Sequence, residues 1–235
     1  MAPWFDVDGA SLWLALSVAT TSTAVSVALG VALAFALERW RSRAKLVVEA
    51  LVLWPLVLPT TVLGYFLLVL FARDSALGRA VESLTGAPLA YTPRAATVAA
   101  CVTALPLVLR GTQRALSSVD RSLLFAARSL GASEWYIART ITAPLIARGI
   151  VAASLFAFAR TLGEFALTLM LLARLPQAHS ASLAALDLAR SGQRPHSGSL
   201  ALVLAALTLG AALLIQWLGT ARLGPAEPSQ GTDAR

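Results

Sequence analysis

The chain has 235 residues, of which 57% are hydrophobic and 13% charged. Soluble domains carry about 25% charged residues, and a mean hydropathy of +0.73 leaves too little polar surface to face water on all sides, which excludes a water-soluble fold and points to an all-α bundle whose outer face meets lipid. The net charge of +7 would suit nucleic acid if it formed one surface, but the basic residues fall in short segments between long apolar runs, which excludes that partner.

A membrane helix needs about 20 mostly apolar residues. Five segments qualify: 11–37, 46–72, 93–113, 149–172 and 199–219. The first is too long, and too lacking in a basic leader, for a cleaved signal peptide. In the second, Pro55, Pro59 and Gly64 break or kink the helix. That reads either as a gate in a pore-lining helix or as irregular packing. Pro106 in the third reads the same way. Cys101 lies within an apolar run and has no second cysteine for a disulfide. His179 and His196 read as solvated loop residues, so no metal site and no cofactor are expected. The fourth segment holds Arg160 and Glu164, four residues apart near its centre and on one helix face. An unpaired charge there costs about 2.5–3.5 kcal/mol, so the two satisfy each other or face a wet cavity. Gly163 between them suits close helix contact. In the following segment, residues 182–190 read as a short surface helix and 191–198 as a flexible turn region. Residues 223–235 are polar, rich in Pro and Gly, and read as a disordered tail.

Orientation follows from the basic residues. Arg39, Arg41, Arg43 and Lys45 follow the first span. Arg110, Arg114, Arg121, Arg128, Arg139 and Arg148 cluster between the third and fourth. Placing both groups in the cytoplasm puts the N-terminus outside and the C-terminus inside.

Residues 114–148 are neither apolar enough to span nor polar enough for a linker. They are expected to form a cytoplasmic loop around a short amphipathic helix. Asp120 is its N-cap and Gly131 its stop. Leu123, Ala126, Ala127 and Leu130 form an apolar stripe at helical spacing. Either the membrane surface or a groove on a partner would cover such a stripe.

Phe125-Ala-Ala-Arg-Ser-Leu-Gly131 followed by Ile141-Thr-Ala-Pro144 resembles the EAA loop of ABC importer permeases. Ala126, Ala127, Gly131, Ile141 and Pro144 fall in register with that signature. Phe125 stands where the family usually has Glu, and Ala143 where it usually has Leu. The segments 53–65 and 156–165 resemble those of molybdate permeases, within a group that also carries sulfate, tungstate and thiosulfate. The resemblance implies a type I importer fold with five spans, working as a homodimer in the bacterial inner membrane. It implies an ATPase dimer docked on the EAA-like loop and an external oxyanion-binding protein. In its light, Arg160 attracts an oxyanion and Glu164 sets its geometry or gates it; the alternative is a structural ion pair fixing the dimer interface or the bundle. No phosphate-binding glycine loop is present, so ATP hydrolysis would belong to a separate chain and no residue here is expected to be catalytic. A secondary transporter would carry several midplane charges or two related halves. A scaffold would have no reason to carry the EAA spacing, and a membrane enzyme would need an acid, base or metal cluster.

Overall fold

The computed structural model describes residues 9–40, 42–164, 171, 202–203 and 205–215. Every regular element among them is helical. The expected surface helix at 182–190, the turn region, both histidines, the tail at 223–235 and much of the fifth segment lie outside the described residues.

Three helices form the core: α1 (Gly9–Arg39), α5 (Pro93–Ser117) and α8 (Ala143–Leu162). Each is long and apolar enough to cross a membrane. Lipid tails are as apolar as leucine, so burial alone does not bring such helices together; close backbone approach and interhelical hydrogen bonds do. The buried positions fit that requirement. On α1 they include Ala15, Ala19, Ser22, Ser26, Gly30 and Ala34, spaced three or four apart. On α5 they are again mostly Ala and Thr. A Cβ added at Gly111 would lie 2.3 Å from the Cβ of Ala153, and one at Gly149 would lie 2.6 Å from that of Ala115. Two glycines therefore set the α5–α8 spacing. Between α1 and α5, the Ser26 hydroxyl donates to the Cys101 carbonyl at 3.4 Å, and the Cys101 thiol donates to the Ser22 carbonyl at 3.6 Å.

The second predicted span is not one helix. It divides into α2 (Ala44–Val57) and α3 (Thr60–Phe71), which meet at 111°. Only Pro59 marks the break; it precedes α3 in extended-type backbone. Pro55 sits inside α2 and Gly64 inside α3 without ending either. Leu63, Leu67 and Phe71 of α3 pack with Leu89 and Leu171 and with Ala95 and Ala99 of α5. In contrast, α2 buries no residue. It is held by the half-buried Val48 and Val52, which pack against Ala34, Leu37 and Leu109, and by Glu49, whose Oε1 accepts from Gln113 Nε2 at 2.8 Å and whose Oε2 lies 3.6 Å from Arg110 Nη1.

A short helix absent from the sequence reading, α4 (Ala76–Thr85), follows. Ser75 caps it by accepting the Gly78 N–H at 2.8 Å, and Gly86 ends it at φ +72°.

The expected loop at 114–148 is largely helical. α5 continues to Ser117, then come α6 (Arg121–Ser129), α7 (Glu134–Ile137) and a π turn (Ala138–Thr142) that runs into α8. Pro144 of the EAA-like signature has no backbone N–H to give to a helix. Here it occupies the first turn of α8, and the π turn before it absorbs the missing donor. The Ala143 N–H reaches back five residues to the Ala138 carbonyl. One continuous helix from Glu134 to Leu162 results. Further on, the described part of the fifth predicted span is α9 (Ala205–Ile215).

Candidate functional site

α6 is built by its own ends. The Asp120 carboxylate accepts the Ser122 N–H at 2.8 Å, which holds that carboxyl below the usual carboxylate range and caps the helix. At the other end the Gly131 N–H donates to the Arg128 carbonyl at 2.9 Å and the Ala132 N–H to the Ala127 carbonyl at 3.1 Å. This pair of bonds is a Schellman motif, and it requires the left-handed backbone that Gly131 adopts at φ +83°. An L side chain at that position would be strained, which is the physical reason for glycine there.

Which face of α6 points inward differs from the expected stripe. Leu124 and Ala127 are half-buried, whereas Leu123, Ala126 and Leu130 are exposed and Phe125 is 70% exposed. α6 thus rests on the protein through Leu124 and Ala127 and offers Leu123, Phe125 and Leu130 outward. Leu124 and Arg128 close a cavity of about 130 Å³ with Phe35 and Arg39 of α1 and Ile137 of α7. On the opposite side Asp120 and Leu123 share a cleft of about 540 Å³ with Pro144 and Arg148. The fold therefore brings Leu123 to Pro144. Ile141 lies half-buried within the π turn.

An ion pair that the sequence reading missed locks α6 to α7. Arg128 Nε donates to Glu134 Oε1 at 2.6 Å, and Nη2 to Oε2 at 3.2 Å. This two-pronged geometry is the strong form of the interaction. It pulls the Glu134 carboxyl below its ordinary range and raises Arg128 further. Both residues flank the Gly131 turn, so an Arg and a Glu six apart across a helix stop were the available signal.

Arg160 and Glu164 do form an ion pair, at the end of α8 rather than near the centre of the helix. α8 ends at Leu162 with Gly163 as its cap, so Arg160 stands in the last turn, where a cation favours the carboxyl end of the helix. Residues 165–172 are apolar and carry the predicted fourth span to 172; all of them but Leu171 lie outside the described residues. Leu162 packs on Ala15 and Ala19 near the start of α1, so the pair lies toward that end of the bundle. The Glu164 side chain is 6% exposed and that of Arg160 38%. Gly163 does not serve close helix contact among the described residues. A Cβ there would meet only the Ala159 and Arg160 carbonyls of its own helix, at 3.7 and 3.9 Å. Sixteen residues of helix, about 24 Å, separate Arg160 from Pro144, so pathway pair and α6 region are distinct sites.

Three long apolar helices around a small-residue core, with a capped amphipathic helix outside them, define a multi-pass membrane protein. The fold is that of permease chains in bacterial ABC transporters. The structure superposes on a chain of an inward-facing methionine ABC transporter, MetNI, with a TM-score of 0.67 and 17% identity, covering 88% of this chain and 94% of that one. It superposes on a chain of a bacterial alginate ABC transporter crystallised with its pentasaccharide-bound periplasmic protein, with a TM-score of 0.69 and 15% identity, covering 93% and 80%. The family described as "Binding-protein-dependent transport system inner membrane component" matches residues 26–221, and the chain belongs to it. Over 215 residues it is 33% identical to the molybdenum transport system permease protein ModB of Escherichia coli (strain K12), covering 91% of this chain and 94% of that protein. It is 39% identical over 202 residues to a probable molybdenum ABC transporter permease of Haloferax volcanii, covering 86% and 72%.

Proposed function

We propose that this chain is the permease subunit of an ATP-driven molybdate importer in the bacterial inner membrane. It spans the membrane five times, with the N-terminus outside and the C-terminus in the cytoplasm, as one transmembrane domain (residues 1–222) with a tail at 223–235. It works as a homodimer, receives the oxyanion from an external binding protein, and couples through α6 to a separate ATPase dimer. The observation that carries this reading is α6. Its outward apolar residues Leu123, Phe125 and Leu130 have no cover among the described residues, and it sits in register with the EAA signature. With Phe125 in place of a carboxylate, the docked surface is apolar rather than ionic, and Ala126, Ala127 and Gly131 set its shape. Ile141 and Pro144 form the joint that passes its displacement into α8. The 111° break at Pro59, with Pro55 and Gly64 on either side, supports the reading of α2–α3 as the gate element over one of irregular packing.

Two uses of Arg160 and Glu164 remain. The half-open Arg160 beside a buried Glu164 favours an anion-attracting guanidinium oriented by the carboxylate. The cap geometry at Gly163 favours a pair that ends α8. Arg160→Ala separates them: altered oxyanion preference with normal expression supports the first, and reduced expression or dimer stability the second.

The decisive test is cellular molybdenum content in a strain lacking this chain, grown at low molybdate, with complementation. The native chain is expected to restore it. Ala127→Glu, which puts a charge beneath α6, is expected to reach the membrane at normal levels and restore none. Restoration by Ala127→Glu would remove α6 as the coupling element. A loss of tungsten or sulfur uptake, with molybdenum unchanged, would replace molybdate by a sibling oxyanion.

A further inference from the structure

We propose that a groove between the end of α1 and the start of the α7–α8 helix holds one anionic phospholipid. The groove has a volume of about 540 Å³. Its apolar lining includes Ala32 and Ala36 of α1 and Ala143 of α8, and Trp135, 74% exposed, stands at its edge. Its two charged lining residues are Arg39, the last residue of α1, and Arg139 in the π turn. α1 and α8 run antiparallel, since Leu162 meets Ala15 and Ala19 while Ile137 meets the Phe35–Arg39 end. Arg39 therefore follows Ala36 at the same end of the groove where Arg139 precedes Ala143.

The charge balance there is uneven. Arg73, Arg110, Arg128 and Arg160 are within salt-bridge distance of a carboxylate; of the two arginines in the groove, Arg39 interacts with Glu134 only through space, and no salt bridge is formed by Arg139 among the described residues. Two acids are near. Glu134 lines the adjoining cavity that Arg39 shares, but it is taken by Arg128 in two-pronged fashion. Glu38 lines that same cavity and not the groove. A pair of guanidinium groups at one end of an alanine-lined trough asks for an anion joined to an apolar chain. A phosphodiester headgroup suits the planar donors of arginine, acyl carbon suits the alanines, and an indole at the rim suits the membrane interface. Basic recesses between membrane helices select anionic lipid on these terms. The proposal rests on α1 and α8 crossing the membrane and is independent of the cargo.

The test uses the full-length protein in neutral detergent, offered dioleoyl phosphatidylglycerol or dioleoyl phosphatidylcholine at equal concentration, with bound lipid counted by native mass spectrometry. The native chain is expected to retain phosphatidylglycerol preferentially. The preference is expected to fall roughly fivefold for each arginine removed in Arg39→Gln and Arg139→Gln, and to survive in the corresponding Lys variants. Ala36→Trp, which fills the trough and leaves both charges, is expected to abolish retention. Equal retention of the two lipids, undiminished preference in the double Gln variant, or retention by Ala36→Trp would each overturn the proposal. So would displacement of the lipid by inorganic phosphate, which would make this a free-anion site, or masses showing a second protein chain in its place.

Discussion

The α1–α5–α8 core and the α2–α3 pair are both strongly apolar, yet they are held by different forces. In the core, backbones approach until Gly111 touches Ala153 and Gly149 touches Ala115. α2 carries Leu46, Val47, Leu51, Trp54 and Val57 on exposed faces and buries nothing. Its attachment is slight: Val48 and Val52 lie half-buried against Ala34, Leu37 and Leu109, and Glu49 reaches Gln113 and Arg110 of α5. The difference teaches that in a lipid solvent a row of large apolar side chains does not by itself seat a helix. Small residues and hydrogen bonds bring backbones together, so α2 stays loose although it is strongly apolar, while α3 is seated where Leu63, Leu67 and Phe71 meet Leu89, Ala95 and Ala99.

Gly111→Leu should be the most damaging change. Overpacking typically costs about 1–3 kcal/mol, and here backbone-distance contact leaves no room to relax. A lowered thermal midpoint in detergent is expected, while Leu51→Ala on α2 should fall within about 0.5 kcal/mol of the native chain. Equal losses at the two sites would erase the comparison. Next in size is Glu49→Ala. Leaving Gln113 and Arg110 without their acceptor should cost about 1–3 kcal/mol and release α2 specifically. Faster proteolysis between α2 and α3, with the core intact, would be its signature; uniform destabilisation would mean that α2 is not a separate unit.

The smallest effect concerns the exposed Arg128–Glu134 pair. The hydrogen bond from Arg128 holds the Glu134 carboxyl below its ordinary range in the folded chain, so its contribution is present above the unfolded value and lost as pH falls through the lower folded value. The midpoint difference between the native chain and Glu134→Gln should therefore be constant near neutrality and vanish in acid. A difference that grows on acidification would reverse the assignment.

The capped helix at 121–129 was legible because its signals are local: Asp120 and Gly131 act on backbone groups within three or four residues. The first and third spans were legible for a similar reason, since hydropathy alone bounds a helix entering and leaving lipid. The predicted 11–37 and 93–113 compare with Gly9–Arg39 and Pro93–Ser117. Hydropathy fails where helix and lipid boundaries part company. It does not register the end of α8 at Leu162, which puts Arg160 in the last turn of that helix, and it runs α2 and α3 together across Pro59. The inward face of α6 was illegible because both candidate stripes contain leucine and alanine; only the docking partners of Leu124 and Ala127 choose between them. The alanine, serine and glycine spacing on α1 was visible but is silent in a scale that rewards bulk.

The π turn at Ala138–Thr142 has a consequence for the angular phase of the molecule. A surplus residue in a helix rotates everything beyond it by about 100° relative to an uninterrupted one. Glu134 and Ile137 are set toward α6 and α1 on one side of that offset. Ile146, Gly149 and Ala153 are set toward the bundle on the other. The azimuth at which the outer helix is gripped is thereby decoupled from the azimuth at which the span is packed, and a single turn of backbone sets the difference between them.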